Sequence, residues 1–238
     1  MSAIAGPNLL SNGLLLYLDA GNTKSYPGSG TTVTDLSRTG NNGTLVNTPP
    51  FSSSNLGSFN FNGTSQYIST NSPIIPNTTS FSVGVWVRYT LGFFYTFLDI
   101  INNRSTSTNN PGFLLTTDFS SANGRIRVQL NSASALTEFI SSGANIATGN
   151  WVYVVISVNR VSNTMSYYVN GSLDYTTSIS SIGSLAGSTN LFIAYDAAFA
   201  GPGNYFAGDI SACHIYGLPL SNADVLQNFN ALRGRYGA

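Results

Sequence analysis

Hydrolysis of a glycosidic bond needs two carboxyl groups about 5 to 9 Å apart, one donating a proton and the other serving as nucleophile or base. The chain has one glutamate, Glu138, and eight aspartates, and no two of them stand at alternate positions of a strand-like run. A pair could still meet from separate strands, Asp99 with Asp118 for example, so the carboxylate spacing of the folded chain bears on this. A serine-type triad would need His214 as base, but between Cys213 and Ile215 it reads as a strand residue serving packing or a subunit contact. One His and one Cys fall short of any zinc set, and Cys213 in its apolar stretch reads as a small buried hydrophobe. The remaining chemistry is that of binding. Tyr26, Phe119, Phe199, Asn204 and Tyr205 are loop aromatics and amides that suit a saccharide face and suit oligomer contacts equally, and Asp118, Asn123 and Asp196 add oxygen donors at loop edges. The candidate carbohydrate site is therefore Asp118, Asn123, Asp196, Asn204 and Tyr205, and the chain is expected not to be an enzyme.

Composition narrows the partners. Charged residues make up 8% of 238, against roughly 25% in an average soluble protein, so Ser, Thr, Asn and Gly must supply the polar surface. Lys24 is the one lysine, and the mixed Lys/Glu coat that keeps ordinary monomers apart is missing. This favours a chain packed among copies of itself. Nine basic residues balance nine acidic ones without a basic stripe, which excludes nucleic acid as a partner. The run Leu14 to Leu18 is too short for a signal segment and has no basic residues before it, and nothing approaches a membrane span. Neither export through a cleaved signal nor membrane insertion is expected.

Positioning such residues falls to strands. Phe81 to Arg88 alternates, with Phe81, Val83, Val85 and Val87 on one face, and predicts a strand buried on that side. Trp151 to Asn159 is apolar throughout, as in a central strand covered on both sides. Asn170-Gly171 between Thr164 to Val169 and Ser172 to Thr176 predicts a hairpin. Further strands are expected at 13–19, 58–61, 66–70, 93–101, 113–117, 125–130, 191–194 and 206–216, with long loops at 22–58, 102–111 and 197–204. One helix is expected from Asn222 to about Leu232, capped by Ser221 with Asp224 three positions on and ended by Gly234. So many strands with one helix predict an all-β, antiparallel two-sheet sandwich, a single domain over 1–238 with 221–238 as C-terminal helix and tail.

Several segments in order carry a family likeness: GLLLYLDA at 13–20, NNGTL at 41–45, FNFNG at 59–63 with Tyr67 and Ile68, and FSV leading to Trp86, Val87 and Arg88. In the second half stand WVYV at 151–154, YVNG at 168–171, FAGDI at 206–210, then Ile215-Tyr216 and PLS at 219–221. Over nearly its whole length the chain thus resembles the laminin-G-like, concanavalin A-like lectin/glucanase jelly rolls of many bacterial and phage proteins. Trp86 and Trp151 supply buried area, Gly63 and Gly171 supply turns, and Asp209 after Gly208 is placed to accept backbone hydrogen bonds. YLDAGN at 17–22 and NFNALRGRYG at 228–237 also resemble virion proteins of tailed phages, especially those of cyanobacteria.

The resemblance implies a non-catalytic virion subunit, such as a head decoration, fibre or tail component, made in the host cytoplasm without a signal peptide and bound to copies of itself and other virion proteins. An alternative it implies is a carbohydrate-binding, lectin-like module directed at host surface polysaccharide. Relatives often hold calcium at a sandwich rim, which makes Asp118 and Asp196 candidate calcium ligands. Gln66 stands before Tyr67 where many relatives have an aspartate, which weakens that ligand set.

Overall fold

The computed structural model describes residues 7–54, 57–89, 98–106, 110–118, 124–141, 143, 145–179, 182–185, 190–198 and 204–238. In chain order these form β1 (Leu14–Asp19), β2 (Thr32–Val33), β3 (Gly43–Val46), β4 (Phe51–Ser52), β5 (Ser58–Asn62), β6 (Tyr67–Thr70), β7 (Phe81–Arg88) and β8 (Asp99–Asn102). There follow β9 (Gly112–Asp118), β10 (Arg125–Asn131), β11 (Glu138–Ile140), β12 (Val152–Asn159), β13 (Thr164–Val169), β14 (Ser172–Ser178), β15 (Phe192–Ile193), β16 (Ala207–Tyr216) and the helix α1 (Asn222–Tyr236).

They build two antiparallel sheets. The first runs β14-β13-β12-β7-β16-β5-β4, and β1 pairs with the C-terminal half of β16 beyond β5. The second runs β11-β10-β9-β8-β15-β6-β3-β2. Their inner faces enclose the core, where Val83, Val85, Val154 and Ile156 of the first sheet join Phe113, Leu115, Ile126 and Val128 of the second. Phe81 and Phe113 meet edge to face across it, ring centroids 5.5 Å apart. The expected sandwich is thus the observed one.

Several elements depart from expectation. β7 is buried on both faces, because α1 covers the side expected to face solvent. There Trp86 stacks on Tyr153, Phe229 and Tyr236 at centroid distances of 5.1, 5.7 and 4.0 Å. Gly84 leaves room for this layer, since a Cβ at that position would lie 2.8 Å from the Tyr153 hydroxyl oxygen. α1 starts at its Ser221–Asp224 capping box as expected but does not stop at Gly234. It runs on to Tyr236 and ends at Gly237, which is left-handed with φ 67° and whose N–H reaches the Arg233 carbonyl. Burying Tyr236 against Trp86 outweighs the helix penalty of Gly234, about 1 kcal/mol. The expected loop 22–58 contains β2, β3 and β4, and β11 was not foreseen; all four are two to four residues long, too short to show a period. Of the strand expected at 93–101, residues 98–101 lie in or beside β8, and 93–97 fall outside the described residues. Asp209 accepts not from backbone but from the side chains of Arg88 and Asn60, each at 3.0 Å.

Candidate functional site

Residues directly opposite one another in antiparallel strands share a face, so the register sorts the second sheet into rows. Val128, Leu115, Ile101, Ile193, Ile68 and Leu45 are successive partners across six strands and form one inner row. One position along, Glu138, Gln129, Leu114, Asn102, Phe192 and Ser69 form a row on the outer face. Arg127, Thr116 and Asp99 form a second outer row. The first sheet's outer face lies under α1, whereas the second sheet's outer face holds a groove of about 250 Å³ lined by Asp99, Arg104, Arg127, Gln129, Asp196 and Asn204, with Leu114 and Leu136.

A continuous polar chain crosses this groove. Asn102 donates from its side-chain amide to Asp196 at 2.7 Å, and the Ala198 N–H donates to the same carboxylate oxygen at 2.9 Å. The Arg104 guanidinium pairs with the other Asp196 oxygen and also donates to the Gln129 carbonyl. Gln129 in turn donates to Glu138 at 3.3 Å, and Arg127 completes the chain with an ion pair to Glu138. Arg104 and Asp196 are 3% and 1% exposed, so this pair is a desolvated one, strong in geometric specificity rather than in net stability. Asp99 beside it is pushed up to about 7 by burial and by the negative charge of Asp196.

Four half-buried rings lie alongside. Tyr195 and Tyr205 stack at 4.6 Å, Tyr67 lies 4.8 Å from Tyr195, and Phe192 meets Tyr67 and Tyr195 at 5.9 and 5.5 Å. Backbone pairing ties them to the groove: Tyr195 bridges Tyr205, and the Asp196 N–H donates to the Asn204 carbonyl at 2.8 Å. Polar groups that fix orientation beside a shelf of aromatic rings are what a sugar ring needs, with its apolar face and hydroxyl rim.

The family model of the concanavalin A-like lectin/glucanases superfamily, Laminin_G_3, matches residues 62–226. The chain belongs to this family. Solved structures agree on the fold of this laminin-G-like chain. The binding domain of Paraclostridial Mosquitocidal Protein 1 superposes with a TM-score of 0.71 at 17% identity, covering 92% of this chain and 52% of that one. The botulinum neurotoxin serotype D ligand binding domain in complex with N-acetylneuraminic acid gives 0.70 at 17% identity, with 92% and 51% covered. The binding domain of botulinum neurotoxin DC in complex with rat synaptotagmin II gives 0.66 at 17% identity, with 92% and 52% covered. The chain spans about half the length of these binding domains. Among curated proteins no match was found.

Of the residues singled out from the sequence of this laminin-G-like domain, Asp196, Asn204 and Tyr205 come together at the groove. Asp118 closes β9 opposite Arg125, but its side chain, and Asn123, Phe119 and Phe199 altogether, lie outside the described residues. Tyr26 is not a loop aromatic available to ligand: it is 5% exposed and packs on Phe51 and Phe59 in the core. Asp99, Arg104, Arg127 and Gln129 of the groove, and Tyr67 and Tyr195 of the ring cluster, were not among the candidates for binding read from the sequence. A signal existed for two of them, since Arg125, Arg127, Gln129 and Asn131 alternate with Ile126, Val128 and Leu130 and so mark a polar outer face.

Calcium does not fit at Asp196, because both its oxygens are held by Asn102, Arg104 and the Ala198 N–H and a cation would have to displace a guanidinium. Among the described residues no group of three His, Cys, Asp or Glu is clustered for a metal. Of the two roles expected for His214, the structure shows packing: it is wholly buried under α1, 4.7 Å from the Tyr17 ring, and burial lowers it to about 4. Nearby, Arg235 holds the buried Asp19 carboxylate at 3.0 Å and fastens the end of α1 to β1.

Proposed function

We propose that this chain is a non-catalytic carbohydrate-binding module whose site is the outer face of the second sheet. The observation that carries the reading is the half-exposed cluster of Tyr67, Phe192, Tyr195 and Tyr205 set against the polar groove. Membership of a lectin/glucanase family supports it, as does N-acetylneuraminic acid in a similarly folded toxin binding domain. The non-catalytic part rests on Asp196, whose oxygens are committed to protein donors, leaving Asp99 without a free carboxylate partner in the groove. A glycan array with and without chelator tests the function, with Tyr205→Ala as the site variant. Binding that survives chelation and falls at least tenfold in the variant supports the reading; no bound glycan under either condition rejects it.

A second proposal concerns where the module works: as a head decoration, fibre or tail subunit of a tailed-phage virion, made in the host cytoplasm and contacting copies of itself and other virion proteins. What favours it is the 8% charge content, which suits a chain packed in an assembly. Mass spectrometry of purified virions that lacked this chain would reject it.

A further inference from the structure

We propose that the groove selects neutral glycan chains and discriminates against acidic ones such as sialylated or uronate-bearing chains. This deepens the carbohydrate-binding reading above and rests on it. Binding an acidic sugar calls for an uncommitted cation, most effectively an arginine fork that can take a carboxylate in two parallel hydrogen bonds. Both arginines that line the groove already answer to an acid of the protein, Arg104 to Asp196 and Arg127 to Glu138. Arg104 is in addition spent on Gln129.

Of the chain's eighteen charged residues (nine basic plus nine acidic), five gather at this groove among the described residues: the acids Asp99, Glu138 and Asp196 and the arginines Arg104 and Arg127. The surplus acid is Asp99. It is faced by Asp196, Arg104 and Arg127, and as it ionises with rising pH it makes the groove more negative. What the groove does offer a ligand, polar groups fixed by one another beside four aromatic rings, matches the hydroxyls and C–H faces of uncharged pyranoses. From Gln129 on β10 to Tyr67 on β6 the face crosses β9, β8 and β15, four strand spacings or roughly 19 Å, long enough for several sugar units in line.

The test is an array of matched pairs, each a neutral oligosaccharide and the same chain carrying sialic acid or a uronate, read with the wild-type protein and with Glu138→Gln. Glu138 is 41% exposed at its side chain, so the substitution removes one charge without touching the core. Neutral members are expected to bind at least tenfold more tightly than their acidic partners in the wild type, with little dependence on salt. Glu138→Gln, which releases Arg127, should narrow that ratio by gaining acidic ligands. Wild-type binding of acidic members as tight as neutral ones would overturn the selectivity while leaving the carbohydrate site standing. An array in which nothing binds would remove the site itself and the selectivity with it.

Discussion

Arg104 and Asp196 are each worth more to the fold together than the pair is worth against water. Replacing Arg104 with Met leaves a carboxylate that is 1% exposed without its counter-charge, at an expected cost of about 3 to 5 kcal/mol in urea unfolding. Arg104→Met with Asp196→Leu should recover much of that loss, because the desolvated charge is gone as well. Two other buried groups set the pH dependence of stability with opposite signs. His214, held at about 4 in the fold against 6.5, takes up a proton on unfolding between those values, so its contribution falls as pH drops through that window. Asp99, held at about 7 against 3.8, keeps its proton in the fold and releases it on unfolding, so its contribution falls as pH rises from 3.8 to 7. Between pH 4 and 6.5 the two oppose one another. Stability against pH measured on His214→Gln should therefore decline on going up from pH 4 to 7, and on Asp99→Asn it should decline on going down from 6.5 to 4, each by up to about 1.4 kcal/mol per pH unit. A flat profile in either variant contradicts these buried charge states. Neither the His214 nor the Asp99 environment was legible in the sequence, since the fold alone brings Tyr17 and Asp19 to His214 and Asp196 to Asp99.

At the scale of elements, α1 decides which face of the sandwich is available. It seals the first sheet through Phe229, Tyr236 and Val225, which leaves the second sheet's outer face as the place proposed for ligand. Phe229→Ala should cost about 3 kcal/mol, as for other large buried aromatic truncations. Two glycines make a sharper test. Gly234 is helical with open space where a Cβ would go, so Gly234→Ala should stabilise by roughly 0.5 to 1 kcal/mol. Gly237 is left-handed at φ 67°, and Gly237→Ala should destabilise by roughly 1 kcal/mol. If Gly234 were the helix stop, as its position after Leu232 suggested, the two signs would be exchanged; thermal unfolding of both variants reads the answer. The same elements show how far sequence reading reaches. Longer strands are legible, β7 and β10 by their alternation and β12 by its unbroken apolar run, and were placed to within about a residue or two. β2, β3, β4 and β11 have no period to display and exist because a neighbouring strand offers hydrogen bonds. The alternation of β7 showed one apolar face only, because its other face carries Ser82, Gly84 and Arg88; Gly84 there makes room for Tyr153, and Ser82 bonds Ser157 and the Leu218 and Leu220 backbone.

Across the whole molecule, charge is scarce and unevenly spent. The sequence shows the scarcity but not that Asp99, Arg104, Arg127, Glu138 and Asp196, spread over nearly a hundred residues, converge on one sheet face. Asp196, Asn204 and Tyr205 were among the candidates because they stand in or beside the expected loop 197–204, whereas Tyr67 joins them only through the β6–β15 pairing. α1 covers the first sheet's outer face and leaves the second sheet's outer face, where the proposed site lies, uncovered by it. A rival position exists at the sandwich rim, where Arg88 lies over the Trp151 ring at 5.1 Å between cavities of about 310 and 510 Å³. The measurement that separates the two faces is a nuclear magnetic resonance titration of the labelled protein with a neutral oligosaccharide drawn from the array. The account predicts that the amides of Asn102, Arg127, Gln129, Asp196 and Tyr205 shift together with one dissociation constant while those of Arg88, Trp151 and Gly237 stay in place. Shifts centred on Arg88 and Trp151, with the second sheet unmoved, would contradict it.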